Sequence, residues 1–188
     1  MTEQANITLP TGWRYGFDSA SGTAIPISVV NDNVVMGYPD RQPDPWTPDD
    51  FERYQDAGAS IARITQADPP DWASCSIADW EQGAIFDPPS LRRFVIRRNQ
   101  FRPGTQTVYS DLDNLAGDLQ PPLARVLHGL TWKAWLAHWR PPSYPVPDDA
   151  EIDHLQSLLP PHVDLVAVQF RPGSLFDRSV VIDPTWHA

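Results

Sequence analysis

Ser76-Ile77-Ala78-Asp79-Trp80-Glu81 reads as a strand that ends in charge. Side chains alternate across a strand, so Asp79 and Glu81 share one face and Trp80 takes the other. Two carboxylates at the end of an apolar strand carry weight because the C-terminal strand ends of an α/β barrel form the mouth where reactive groups collect. Alone, Asp-x-Glu is common, and a solvated strand end or a salt-bridged pair explains it more often than catalysis does.

Outward from this segment, short β-rich runs recur. They are Arg14 to Asp18, Val34 to Tyr38, Ser60 to Thr65, Cys75 to Glu81 around the quoted stretch, Thr105 to Ser110, Thr131 to Trp139, Val163 to Phe170 and Ser179 to Asp183. Most are separated by loop or helix signals, which is the rhythm of an α/β fold. Thr47-Pro48-Asp49-Asp50 sets an N-cap before a proline at the first helical position, and Phe51, Tyr54 and Ala57 follow at helical spacing until Gly58. Asp87-Pro88-Pro89 opens a second helix with Leu91, Phe94 and Val95 as its buried stripe. Arg92, Arg93, Arg97 and Arg98 fall mostly off that stripe, as a solvated face does.

Shorter helices are expected at Pro122 to His128 and at Asp148 to Leu159, the latter carrying Ile152, Leu155 and Leu158 or Leu159. Pro141 to Pro147 reads as a stiff loop, because candidate barrel elements continue on both sides of it. Eight strands with only about four good helices predict one domain over residues 1–188. Its expected form is a small, irregular α/β, TIM-like barrel, short of the roughly 250 residues of an ordinary eightfold barrel.

Composition sets further bounds. The 188 residues are 41% hydrophobic, enough for one sizeable core, and carry 24 acidic against 14 basic side chains for a net charge of -10. That charge repels polyphosphate, so nucleic acid is not an expected partner. Cys75 is the only cysteine and reads as a small buried side chain. Met1 to Pro10 lacks the basic start and apolar run of a secretory signal, and no stretch is long enough to span a membrane. The expected location is therefore the cytoplasm until lysis, or a virion. His128, His138, His154, His162 and His187 show no metal-ligand spacing, and neither metal nor cofactor is expected.

Carboxylates held close together do not ionise independently. One stays protonated and can donate, while the other stays anionic, which is the division of labour that glycosidic cleavage needs. Two more strand ends supply acids: Gly16-Phe17-Asp18 closes the first strand and Phe176-Asp177-Arg178-Ser179 precedes the last, with Asp183 after Val181-Ile182 as a rival to Asp177. Each alone is an ordinary turn or cap residue. Meeting at one barrel mouth, they would form an acidic site.

The ordered set resembles the family 25 glycoside hydrolases, the lysozyme-like muramidases. Tyr15-Gly16-Phe17-Asp18-Ser19 is similar to their opening G-x-D-x-S strand, and Asp79-Trp80-Glu81 to their central D-x-E. Val108-Tyr109-Ser110 resembles their Y-S strand, Ala134 to Trp139 their W-x-A-x-Y/W strand, and Val168-Gln169-Phe170 their Q-Y/F strand. Asp177-Arg178-Ser179-Val180-Val181 is similar to their closing D-x-N/S-x-x strand. The resemblance runs in family order from Tyr15 to Val181.

The resemblance implies cleavage of the glycan strands of bacterial peptidoglycan, with Glu81 as general acid, Asp79 and Asp18 supporting the charged transition state, and Asp177 completing the cluster. It implies substrate contacts at Tyr109, Trp135, Trp139 and Gln169, and a bacteriophage as a fitting source, whose host reads as GC-rich from a composition with 21 prolines and Lys133 as the only lysine. The substrate's own N-acetyl group is the implied nucleophile, so the usual rule linking carboxylate spacing to stereochemistry does not transfer. Of the eight tryptophans, one or two among Trp72, Trp135, Trp139 and Trp186 are expected at a groove, because sugar rings stack on aromatics. The competing expectation is a non-catalytic barrel of this kind, a virion or cell-surface component that binds glycan or neighbouring virion proteins, since a fold does not fix a chemistry.

Overall fold

Eight strands close on themselves in sequence order. They are β1 (Arg14–Asp18), β2 (Val34–Gly37), β3 (Ser60–Thr65), β4 (Ile77–Asp79), β5 (Thr107–Asp111), β6 (Trp132–Ala137), β7 (Val163–Arg171) and β8 (Asp177–Val181). The computed structural model describes residues 9–41, 44–67, 70–81, 87–116, 122–139, 141, 146–183 and 186. Most of the expected N-terminal stretch and of the proline-rich loop, including 142–145, lies outside the described residues.

Neighbours from β1 to β7 pair in parallel, whereas β8 is antiparallel to both β7 and β1. The closed barrel of eight strands with few helices is as expected, and its antiparallel eighth strand differs from the eight parallel strands of an ordinary TIM barrel. The reason is local. Residues 172–176 are all that join β7 to β8, and a parallel return needs a dozen or more residues. The last strand spans Asp177–Val181 rather than the expected Ser179 to Asp183, and its reversal brings its first residue level with the last of β1, Asp18 opposite Asp177.

Five α-helices are present among the described residues, α1 (Pro48–Asp56), α2 (Pro88–Phe101), α3 (Leu112–Ala116), α4 (Leu123–Val126) and α5 (Asp149–Ser157), besides a 3-10 turn at Ile27–Val29. The longer ones start on side-chain caps. Thr47 Oγ1 accepts from the Asp50 N–H at 3.3 Å while Asp50 accepts from the Thr47 N–H at 2.7 Å, and Gly58 at φ +85° lets the chain turn off into β3. Asp87 accepts from the Ser90 N–H at 2.6 Å to open α2, and Asp148 from the Glu151 N–H at 3.0 Å to open α5. Just past α5 the alternative left open between Leu158 and Leu159 resolves to Leu159, which is buried. In α2 the buried stripe runs on to Arg98, which the sequence placed on the solvated face.

Alternation along the strands sorts two cores. Inside the barrel lie Met36, Ile64, Ile77, Tyr109, Trp135, Ala167 and Val181, with Trp186 filling the end opposite the mouth. Outside, Trp80, Leu91, Phe94, Leu136 and Leu155 pack the helices against β4 to β7. Trp80 thus faces away from Asp79, as the alternation required. The interior is filled closely at β1: a Cβ on Gly16 would sit 2.7 Å from Met36 Cε and 3.0 Å from Val181 Cγ2. No described helix is long and apolar enough to cross a membrane.

Candidate active site

The parallel strands β1 to β7 end at one rim, and the reversed β8 begins there, so strand direction alone places Asp18, Asp79 and Asp177 together. Glu81 follows β4 by two residues, because the strand ends at Asp79 rather than at the expected Glu81. The Trp80 N–H still donates to the Tyr109 carbonyl at 2.8 Å, which carries the chain beside β5 for one more residue. The charges of Asp177, Asp79 and Glu81 all act on Asp18, and those of Asp79 and Asp177 act on Glu81. All four carboxylates therefore share one neighbourhood.

Gln169, at the inner face of β7 and 1% exposed, organises half of it. Its amide nitrogen donates to Asp18 Oδ1 at 3.2 Å and to Asp177 Oδ2 at 3.3 Å. Its amide oxygen accepts from the Tyr109 hydroxyl and from Trp139 Nε1, each at 2.7 Å. Gln66, just beyond β3, serves the other half by donating from Nε2 to Asp79 Oδ2 at 2.5 Å. Asp40 in turn holds Gln66, accepting its backbone N–H at 3.0 Å as well as the Thr65 hydroxyl. The second oxygen of Asp79, Oδ1, is buried without a hydrogen-bond partner among the described residues.

Burial raises every one of these acids, and repulsion from others in the cluster adds to it at Asp18 and Glu81. Burial and then Asp177 push Asp18 well above the usual carboxylate range, against the opposing hydrogen bond from Gln169. Burial lifts Asp79 to about 6, with Gln66 and the Arg41 charge pulling the other way. Burial, followed by the Asp79 charge, lifts Glu81 to about 7, opposed by the Tyr109 hydroxyl. Asp177 is raised by burial and held back by the Gly173 N–H, which reaches its Oδ1 at 2.7 Å. Near neutrality Asp79 is then an anion beside a Glu81 that retains a large share of its proton.

Asp183 is not part of this site. It lies past the other end of β8, where Lys133 Nζ meets its Oδ2 at 3.1 Å. The aromatic expectations also sort by position. Trp139 is 59% exposed at the rim. Trp135 is fully buried, donating to Ser179 Oγ at 3.1 Å with its ring 4.3 Å from that of Tyr109, so it supports the floor and offers no free face for a sugar. Trp186 plugs the far end, and Trp72 packs on Phe101 at the end of α2. Tyr109 and Gln169 are buried as well and hold the carboxylates in place.

Sequence reasoning missed Tyr38, Asp40, Arg41, Gln66 and Asp111. Tyr38 is buried and feels Asp79, Asp18 and Glu81, and the Arg41 guanidinium lies 5.4 Å from its ring centre. Asp111 closes β5, acts on Glu81, and accepts from the Asn114 N–H at 2.6 Å. All five sit at or just past a strand's C-terminal end, the same signal that singled out Asp18 and Asp79. Among the described residues no group of three or more His, Cys, Asp or Glu is arranged to hold a metal ion.

No family model matches the chain, and no curated protein matches it. Among solved structures it is similar to an uncharacterized protein of B. stearothermophilus known from a 1.07 Å crystal structure. The match has a TM-score of 0.54 at 13% identity and covers 89% of this chain and 95% of that one. At that identity the likeness is one of fold alone.

Proposed function

We propose that this barrel is a glycoside hydrolase of the lysozyme-like, family 25 kind that cleaves the glycan strands of bacterial peptidoglycan. The observation that carries the reading is the pairing at the end of β4: an anionic Asp79 at about 6 beside a Glu81 at about 7, within a cluster of four acids at one barrel rim. Glu81 delivers its proton to the glycosidic oxygen as the bond to the anomeric carbon breaks. Asp79 offsets the positive charge that develops on the sugar, and water completes the hydrolysis. Trp139, exposed at the rim and tied to Gln169, offers a sugar ring a stacking face.

Purified cell walls incubated with the whole chain should release glycan fragments whose new reducing ends are detectable by mass spectrometry. Intact glycan after treatment of several peptidoglycan types would count against the hydrolase. A second reading, a non-catalytic glycan-binding or virion component on the same barrel, is favoured by the depth of Asp18 and Asp79, which are 4% and 2% exposed. It predicts binding to those walls without cleavage.

A further inference from the structure

The connection from β3 to β4 holds no helix among its described residues, so the outer face of these strands lies between α1 and α2 without a crossover helix of its own. A cavity of about 220 Å³ opens there, away from the mouth. Arg63 of β3, Ser74 and Ser76 before β4, and Arg98, Phe101 and Arg102 at the end of α2 line it. Three arginines around one small cavity stand out in a chain with a net charge of -10.

Arg98 is built in. It is 4% exposed, with Nε donating to Thr105 Oγ1 at 2.9 Å and Nη1 to the Ala73 carbonyl at 3.1 Å and the Trp72 carbonyl at 3.4 Å. Those bonds fix the guanidinium plane and leave Nη2 with no hydrogen bond to a described residue. Arg63 is steadied over the Phe51 ring at 4.6 Å. Neither these two nor Arg102 forms an ion pair among the described residues. Asp71 is the carboxylate that acts on both Arg63 and Arg98, and its oxygens are occupied by the Ser74 hydroxyl and the Ala73 and Ser74 N–H groups. Arg102 repels Arg98. Three positive charges against one, on a rigid frame, outweigh the partial negative charge at the end of α2 and suit an anion that takes several donors at once.

We infer that this cavity is an oxyanion site that binds a phosphoryl group, with Arg63, Arg98 and Arg102 as its donors. Phosphate oxygens accept guanidinium hydrogen bonds in pairs, and Ser76 adds a hydroxyl. The ligand is either free phosphate or a phosphate monoester bearing a ring. Phe101, which is 59% exposed with Trp72 edge-on at 5.9 Å, forms a shelf at the cavity that such a ring would cover. The site is separate from the mouth carboxylates, so its outcome does not depend on glycan cleavage.

Calorimetric titration of the whole chain with inorganic phosphate and with phenyl phosphate, at an ionic strength fixed by sodium chloride, tests it. Both should bind the wild type, and affinity should fall by about tenfold for each arginine removed in Arg63→Gln/Arg102→Gln. Arg102→Gln alone, at an exposed position, keeps the test alive if the double variant does not fold. Tighter binding of phenyl phosphate that is lost in Phe101→Ala identifies the ring-bearing ester, and equal affinity identifies free phosphate. Absence of binding by both probes, or unchanged affinity in the arginine variants, overturns the site.

Discussion

Gln169 connects side chains on or just past four different strands. One amide serves Asp18 and Asp177 with its nitrogen and Tyr109 and Trp139 with its oxygen. Gln169→Leu conserves much of the volume but takes an acceptor from the Tyr109 hydroxyl and from Trp139 Nε1 and a donor from two carboxylates. Leaving such groups unpaired costs about 1–3 kcal/mol each, so a loss of about 3 kcal/mol or more in urea denaturation is expected. A loss near zero would show that the amide is not the organiser of this cluster. Asp18, Asp79 and Glu81 were legible in the sequence because each stands at or near the end of a β-rich run, whereas Asp177 stayed open against Asp183. Gln66 and Asp40 were not, since a polar residue after a strand looks like any turn residue until Asp79 is seen beneath it.

Helices announced themselves through their caps and their buried stripes together. In α1 the Thr47–Asp50 capping box starts a helix whose Phe51 and Tyr54 pack on Trp46, with ring centres 5.2 and 5.5 Å apart. Thr47→Ala should destabilise the protein by about 1 kcal/mol without altering its fold, as read by thermal denaturation and circular dichroism. An unchanged melting temperature would mean that packing alone holds the start of α1. The five-residue α3 went unread because it is too short for periodicity to speak. Arg98 was misplaced for a different reason: a residue in register with Leu91, Phe94 and Val95 carries charge, and its bonds to Thr105, Ala73 and Trp72 offset its burial. Alternation reads the same in either direction along a strand, so the pattern of β8 could not reveal its reversal. The short link from β7 could have done so.

At the scale of the whole molecule, that reversal decides which acids meet at the rim. It carries Asp177 to the rim and sends Asp183 to the far end and to Lys133, so one strand's direction selects which acid joins Asp18, Asp79 and Glu81. Closure of the barrel then buries the acids enough to separate an anion from a proton donor near neutral pH. The most direct measurement is lysis of purified cell walls by the wild type and by Glu81→Gln, compared at matched circular dichroism and melting temperature across pH. The wild type needs Asp79 ionised and Glu81 protonated, so its activity should peak between about 6 and about 7 and fall on both sides. Glutamine keeps the size of Glu81 but has no proton to give, and the rate should drop by ~10²–10⁴-fold. Full activity in Glu81→Gln would contradict Glu81 as the acid, and with it the hydrolase reading of this rim.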